Sequence, residues 1–169
     1  MNILVIVLRL VHILSGVFWL GSAMVSAFFL GPAVAATGEA GQKMMGHMIT
    51  KGRMSVRITG AAILTVLAGA GLYWIDSHGL TSAWTSSGPG WGFGIGALFA
   101  LAGLGLGLQV GVNATKLGKI AVAAQGKPSP DDLAQMQAAQ RRMEFFSKTS
   151  TALLILALVC MATARYWGA

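Results

Sequence analysis

Four stretches of this chain are almost wholly apolar: residues 2–30, 58–75, 91–112 and 149–165. Each approaches or exceeds the ~20 residues needed to cross ~30 Å of hydrocarbon. In lipid every backbone N–H and C=O must be bonded within its own segment, so these stretches predict helices. The run Gly103, Gly105 and Gly107 alternates with leucines as a strand would. No matching set of alternating segments exists to close a barrel, so that pattern too reads as helix. The expected fold is an all-α integral membrane protein, a single domain over residues 1–169. It is a four-transmembrane-helix bundle of two helical hairpins, with the helices extended on the cytoplasmic side.

The extensions follow from local signals. Ser129 is a helix cap, Pro130 suits a first helical position, and Asp131 and Asp132 sit at the positive helix end. No breaker follows, which predicts one long helix over residues 130–167. The third span should continue over residues 116–125 and end at Gly126. Gly31 and Pro32 are expected to close the first span. A helix beginning near Thr37 should run into the second span, weakened by Gly46 and Gly52.

Charge sets the orientation. Lys43, Lys51, Arg53 and Arg57 lie between spans one and two. Lys116, Lys119, Lys127, Arg141, Arg142 and Lys148 lie between spans three and four. Residues 76–90 contain no Lys or Arg. The positive-inside rule therefore places loops one and three in the cytoplasm, with both termini outside. Tyr73, Trp74, Trp84, Trp91, Tyr166 and Trp167 then form a one-sided interfacial belt. Hydrophobic residues make up 55% of the chain and charged ones 10%. The charged share of a soluble domain is about 25%. The formal charge of +7 thus belongs to membrane topology and not to nucleic-acid binding. The first stretch lacks a basic leader and is too long for a cleaved signal, so it is read as a span.

Arg9 and His12 stand inside the first span, where a charged group costs roughly 3 kcal/mol or more. At about 100° per residue, Arg9, His12, Ser15, Gly16, Trp19, Ala23 and Ser26 share one helical stripe. An imidazole there is either bonded to a neighbouring carbonyl or hydroxyl, or serves as a metal or haem ligand. In the haem reading Arg9 pairs with a propionate and Trp19 walls the ring. Otherwise Arg9 snorkels or pairs with Asp76, and Trp19 simply packs. His78, just past the second span, and Met161, in the fourth, are candidates for a second axial ligand. Which of them is level with His12 depends on how deep the first span sits.

A second constellation is Met44, Met45, His47 and Met48. Soft thioethers with an imidazole suit Cu(I), although methionine is also an ordinary filler of interfacial helices. The one cysteine, Cys160, reads as a packing residue and excludes an intrachain disulfide. No Ser/His/Asp set, paired-carboxylate site or phosphate loop is present, so no catalytic residue is assigned and the chain reads as a non-enzyme on its own. No carboxylate lies within a span, which argues against a proton-driven transporter. Gly103, Gly107 and Gly111 form a ridge of small residues, extended by Gly92, Gly96 and Ala100. Such ridges let helices approach closely, within the bundle or at a contact with a second copy or another membrane subunit.

The run Leu10, Val11, His12 through Trp19 and Gly21 resembles the opening of the CopD-like copper-resistance membrane domains and the related DUF2269-type proteins. It is more distantly similar to the HemJ-type protoporphyrinogen oxidases. The resemblance implies a bacterial inner-membrane protein. It implies haem b on His12 along the HemJ-like branch, or copper handling along the CopD-like one. The HemJ pattern calls for a lysine inside span three; here Lys116 and Lys119 lie at its end. The expected function is haem b binding for electron transfer or support of a redox complex. The alternatives are copper handling and a cofactor-free accessory subunit.

Overall fold

The computed structural model describes residues 2–124 and 129–168. Among these it is helical nearly throughout, without strands, and four helices are long and apolar enough to cross a membrane. Helix α1 spans Ile3–Val25, with Asn2 accepting from the Leu4 amide as its cap. A π turn, Ser26–Leu30, joins it to α2, Gly31–Thr37. Helix α3 is Glu39–Thr50 and α4 is Met54–Asp76. A short α5, Ser82–Thr85, precedes α6, Gly88–Ala123, and α7 covers Pro130–Thr163. The last turn is a 3₁₀ segment, Ala164–Tyr166.

Two boundaries differ from the expectation. Gly31 and Pro32 do not close the first span. The Gly31 amide bonds to the Ser26 carbonyl, five residues back, and Pro32 enters the first turn of α2, where its missing N–H costs little. The helical path ends instead at Gly38, whose φ of +55° suits glycine. The helix expected from Thr37 into the second span is split at residues 51–53. There the Lys51 and Gly52 amides share the His47 carbonyl, and Arg53 takes a left-handed φ of +48°.

The long fourth helix stands as expected. Ser129 and Asp132 form a reciprocal capping box: the Asp132 amide bonds to Ser129 Oγ at 3.1 Å, and the Ser129 amide to the Asp132 carboxylate at 2.9 Å. That second bond, followed by the Ser129 hydroxyl, holds the Asp132 carboxyl below its ordinary pKa. Residue 126, the expected end of the third helix, lies outside the described residues. The 36 residues of α6 and the 34 of α7 reach about 50 Å each at 1.5 Å per residue. Both outrun the hydrocarbon by roughly 20 Å.

The four long helices form a ring in the order α1, α4, α6, α7. Contacts are dense within the pairs α1/α4 and α6/α7 and sparse between them. The α6/α7 pair is built on small residues. A Cβ placed on Gly92 would meet Ala164, on Gly96 would meet Met161 and Ala157, and on Gly103 would meet Leu154. Ser150 Oγ also donates to the Gly103 carbonyl at 2.7 Å. The glycine ridge is thus occupied by α7, and of the three glycines proposed as a docking face only Gly111 has open space beside it. Between the pairs, Trp19, Ala62 and Leu154 form the buried centre of the bundle. Thr151, fully buried, reaches the Ala23 carbonyl at 3.3 Å.

At the aromatic end, Trp84 meets Tyr73 edge-on at 5.1 Å and stacks on Phe93 at 6.4 Å. The turn before it is held by buried Ser77, whose hydroxyl accepts from the Leu80 amide at 2.9 Å.

Candidate functional site

The α1/α4 seam is a ladder of small and polar groups. Gly16 lies against the Thr65 methyl, and Leu8 lies over Gly71. The Thr65 hydroxyl is within bonding distance of Ser15 Oγ and of the Ala61 carbonyl, both at 2.8 Å, while the Ser15 hydroxyl donates to the Val11 carbonyl. His12 lies in this ladder between Leu8 and Ser15. Its Nδ1 lies 2.8 Å from the Thr65 carbonyl oxygen. A carbonyl only accepts, so Nδ1 must carry the proton.

Gly69 makes that bond possible. A Cβ there would sit 2.8 Å from His12 Cε1 and 2.9 Å from Nδ1, inside the distance at which carbon atoms repel. The missing side chain is the slot in which the imidazole lies. In the neutral ring, with Nδ1–H committed to the backbone, Nε2 carries the lone pair. It makes no hydrogen bond to any described residue, and no described buried polar side-chain atom is left unsatisfied, so Nε2 is not sealed inside the bundle. Metal-ligating histidines are commonly oriented in this way, by donating the other ring N–H to a carbonyl.

The remaining candidates do not gather round this ring. Arg9 falls at the edge of the stripe and is exposed. It forms no ion pair with Asp76; the ion pairs among described residues are Lys43–Glu39 and Lys148–Glu144. Trp19 is 5% exposed and belongs to the central layer with Ala62 and Leu154. His78 is exposed, with a left-handed φ of +50°. It lies past the end of α4, which itself runs about 10 Å beyond Gly69 at 1.5 Å per residue. His78 and His12 therefore do not share a level.

Met161 does share it. The Thr151–Ala23 contact fixes the antiparallel register of α7 on α1. Counting the same rise outward from that contact brings Met161 to within about one residue, ~1.5 Å, of the level of His12. Its side chain, however, packs on Gly96 of α6. In the methionine-rich segment, Met44 and His47 are exposed and Met45 and Met48 half-buried on α3. Of these four, Met48 lines a cleft that Met54 also lines. No group of three or more His, Cys, Asp or Glu able to hold a metal occurs among the described residues.

Two clefts lie toward the basic end. One, of about 80 Å³, is lined by Asn113, Lys116 and Arg142 with neighbouring residues of α6 and α7. The other, of about 530 Å³, runs between α1 and the α3–α4 elbow. His12 lines neither. Thr65 and Gly69 are the site residues the sequence reading did not single out. Their signal was the four-residue spacing that puts a hydroxyl and a glycine on one helix face.

No family model matches the chain, and no curated protein or solved structure matches it.

Proposed function

We propose that this is a multi-pass membrane haem b protein in which His12 supplies one axial nitrogen, serving electron transfer or a larger redox complex. The observation that carries the reading is the Nδ1–H bond to the Thr65 carbonyl over Gly69, which leaves Nε2 as an oriented, accessible Lewis base. A nitrogen of that kind suits haem iron, and the donor chemistry of the site fits one protein ligand. Met161 packs away on Gly96 and His78 lies beyond α4, which favours a single axial ligand from this chain. Bound haem b would supply one-electron chemistry between two iron oxidation states.

The protein's own groups hold the geometry. The Thr65 carbonyl fixes the tautomer and ring plane, and the Ser15–Thr65 contact fixes α1 against α4. Arg9, one turn outward and without an acidic partner among the described residues, would hold a propionate through its guanidinium. The resemblance of residues 10–21 to CopD-like and HemJ-type openings supports both the site and a bacterial inner membrane. The charge asymmetry supports termini on the outer side.

The test is the visible spectrum of protein purified from haem-replete cells. A Soret band lost in His12→Ala, with helicity retained, is expected. No Soret band in the wild-type protein, or one indifferent to His12, overturns the reading. Copper bound in its place, and released on changing His47 and Met48, would install the copper alternative.

A further inference from the structure

The 530 Å³ cleft lies within the ~300–1,000 Å³ range of ligand sites. One wall is Val17, Phe18, Gly21, Ser22 and Val25 of α1 with Leu30; the other is Met48, Gly52, Met54, Arg57 and Ile58. Its surface is mainly hydrocarbon, and Arg57 is the one charged residue among those that line it. Arg57 is exposed and forms no ion pair with a described acid. Lys51 and Arg53 belong to the same elbow, where the left-handed Arg53 turns α3 into α4. Gly21 leaves the floor open: a Cβ there would meet nothing within 4 Å.

We infer that this cleft is a binding site for an anionic phospholipid, its acyl chain along Val17, Phe18 and Gly21 and its phosphate on Arg57. The argument is complementarity. A hydrocarbon channel lined by one arginine, with Lys51 and Arg53 on the same elbow, matches an amphiphile with an anionic head, as basic pockets between membrane helices do. A zwitterionic lipid such as phosphatidylcholine also brings a phosphate, but its own choline cation offsets that charge, so it matches the basic elbow less well. The site is separate from His12 and does not depend on the haem reading.

Native mass spectrometry of the protein released from nanodiscs holding equal phosphatidylglycerol and phosphatidylcholine provides the test. Retained phosphatidylglycerol should exceed phosphatidylcholine about fivefold, the effect of roughly one interfacial cation. Arg57→Gln should remove most of that preference. Gly21→Leu, whose Cβ meets nothing within 4 Å, should lower the amount of retained lipid. Arg165→Gln, at the aromatic end, should change neither, and circular dichroism should show wild-type helicity in all three. Equal retention of the two lipids by the wild-type protein overturns the proposal. So does a preference that survives Arg57→Gln, or retention that survives Gly21→Leu. A lipid-free cleft in which Gly21→Cys cross-links two chains would show the occupant to be a second copy and would overturn it equally.

Discussion

Substituting Gly69 by alanine attacks the His12 site through a single methyl group. That methyl would lie 2.8 Å from His12 Cε1 and 2.9 Å from Nδ1, so the ring must move away from the Thr65 carbonyl. Overpacking of this kind costs ~1–3 kcal/mol. A lost interhelical hydrogen bond in a membrane adds ~0.6–1.7 kcal/mol. Against these, alanine gains ~1 kcal/mol over glycine in a helix. The net loss should be about 1–4 kcal/mol. Gly60→Ala is the matched control, because it lies on the same helix and a Cβ there meets nothing within 4 Å. It receives the propensity gain alone, so the two variants should differ by about 2–5 kcal/mol. Reversible unfolding in bicelles measures that difference. Nitrogen-15 spectra of the imidazole should show Nδ1 protonated in the wild-type protein and that preference weakened in Gly69→Ala. Equal stability of the two variants, with the tautomer unchanged, would refute the slot argument.

Other consequences are open to simpler measurements. Thr65→Val removes the hydroxyl contact to Ser15 but keeps the carbonyl that orients His12, so it should cost about 1 kcal/mol and leave the tautomer intact. Gly92→Ala should destabilise the α6/α7 pair, because its Cβ would press on Ala164 at 2.7 Å, whereas Gly111→Ala should be neutral or stabilising in the same unfolding assay. The Asp132 carboxyl titrates low because folding gives it the Ser129 amide and hydroxyl, so the box contributes at neutral pH and is lost as pH falls through the folded value. In Ser129→Gly the amide bond to the carboxylate remains while the hydroxyl is gone, so carbon-13 titration should place Asp132 between its wild-type and ordinary values.

The architecture was readable because lipid leaves the backbone few choices: the apolar lengths and the Ser129 box specify helices whatever the packing. The Gly31–Pro32 pair misled because the same dipeptide can end a helix or begin a new turn after a π turn. Only the Gly31–Ser26 bond distinguishes the two. His12 stood out as a polar group in an apolar run, but its partner is a backbone carbonyl, which leaves no mark in the residue alphabet. The levels of His78 and Met161 were equally hidden, since they depend on registers set by His12 on Gly69 and by Thr151 on Ala23. Arg9 shared the calculated stripe with His12 but sits at its edge, where a small helix rotation decides between protein and lipid.

The uneven packing of the ring has a mechanical result. Each hairpin is closely knit, while the seams between hairpins depend on a few groups, chiefly Trp19 with Leu154 and the Thr151 hydroxyl. Deformation concentrates where contacts are fewest. The soft motion of this molecule is therefore a parting of two stiff halves, with the loop at residues 77–87 as the covalent hinge at the aromatic end.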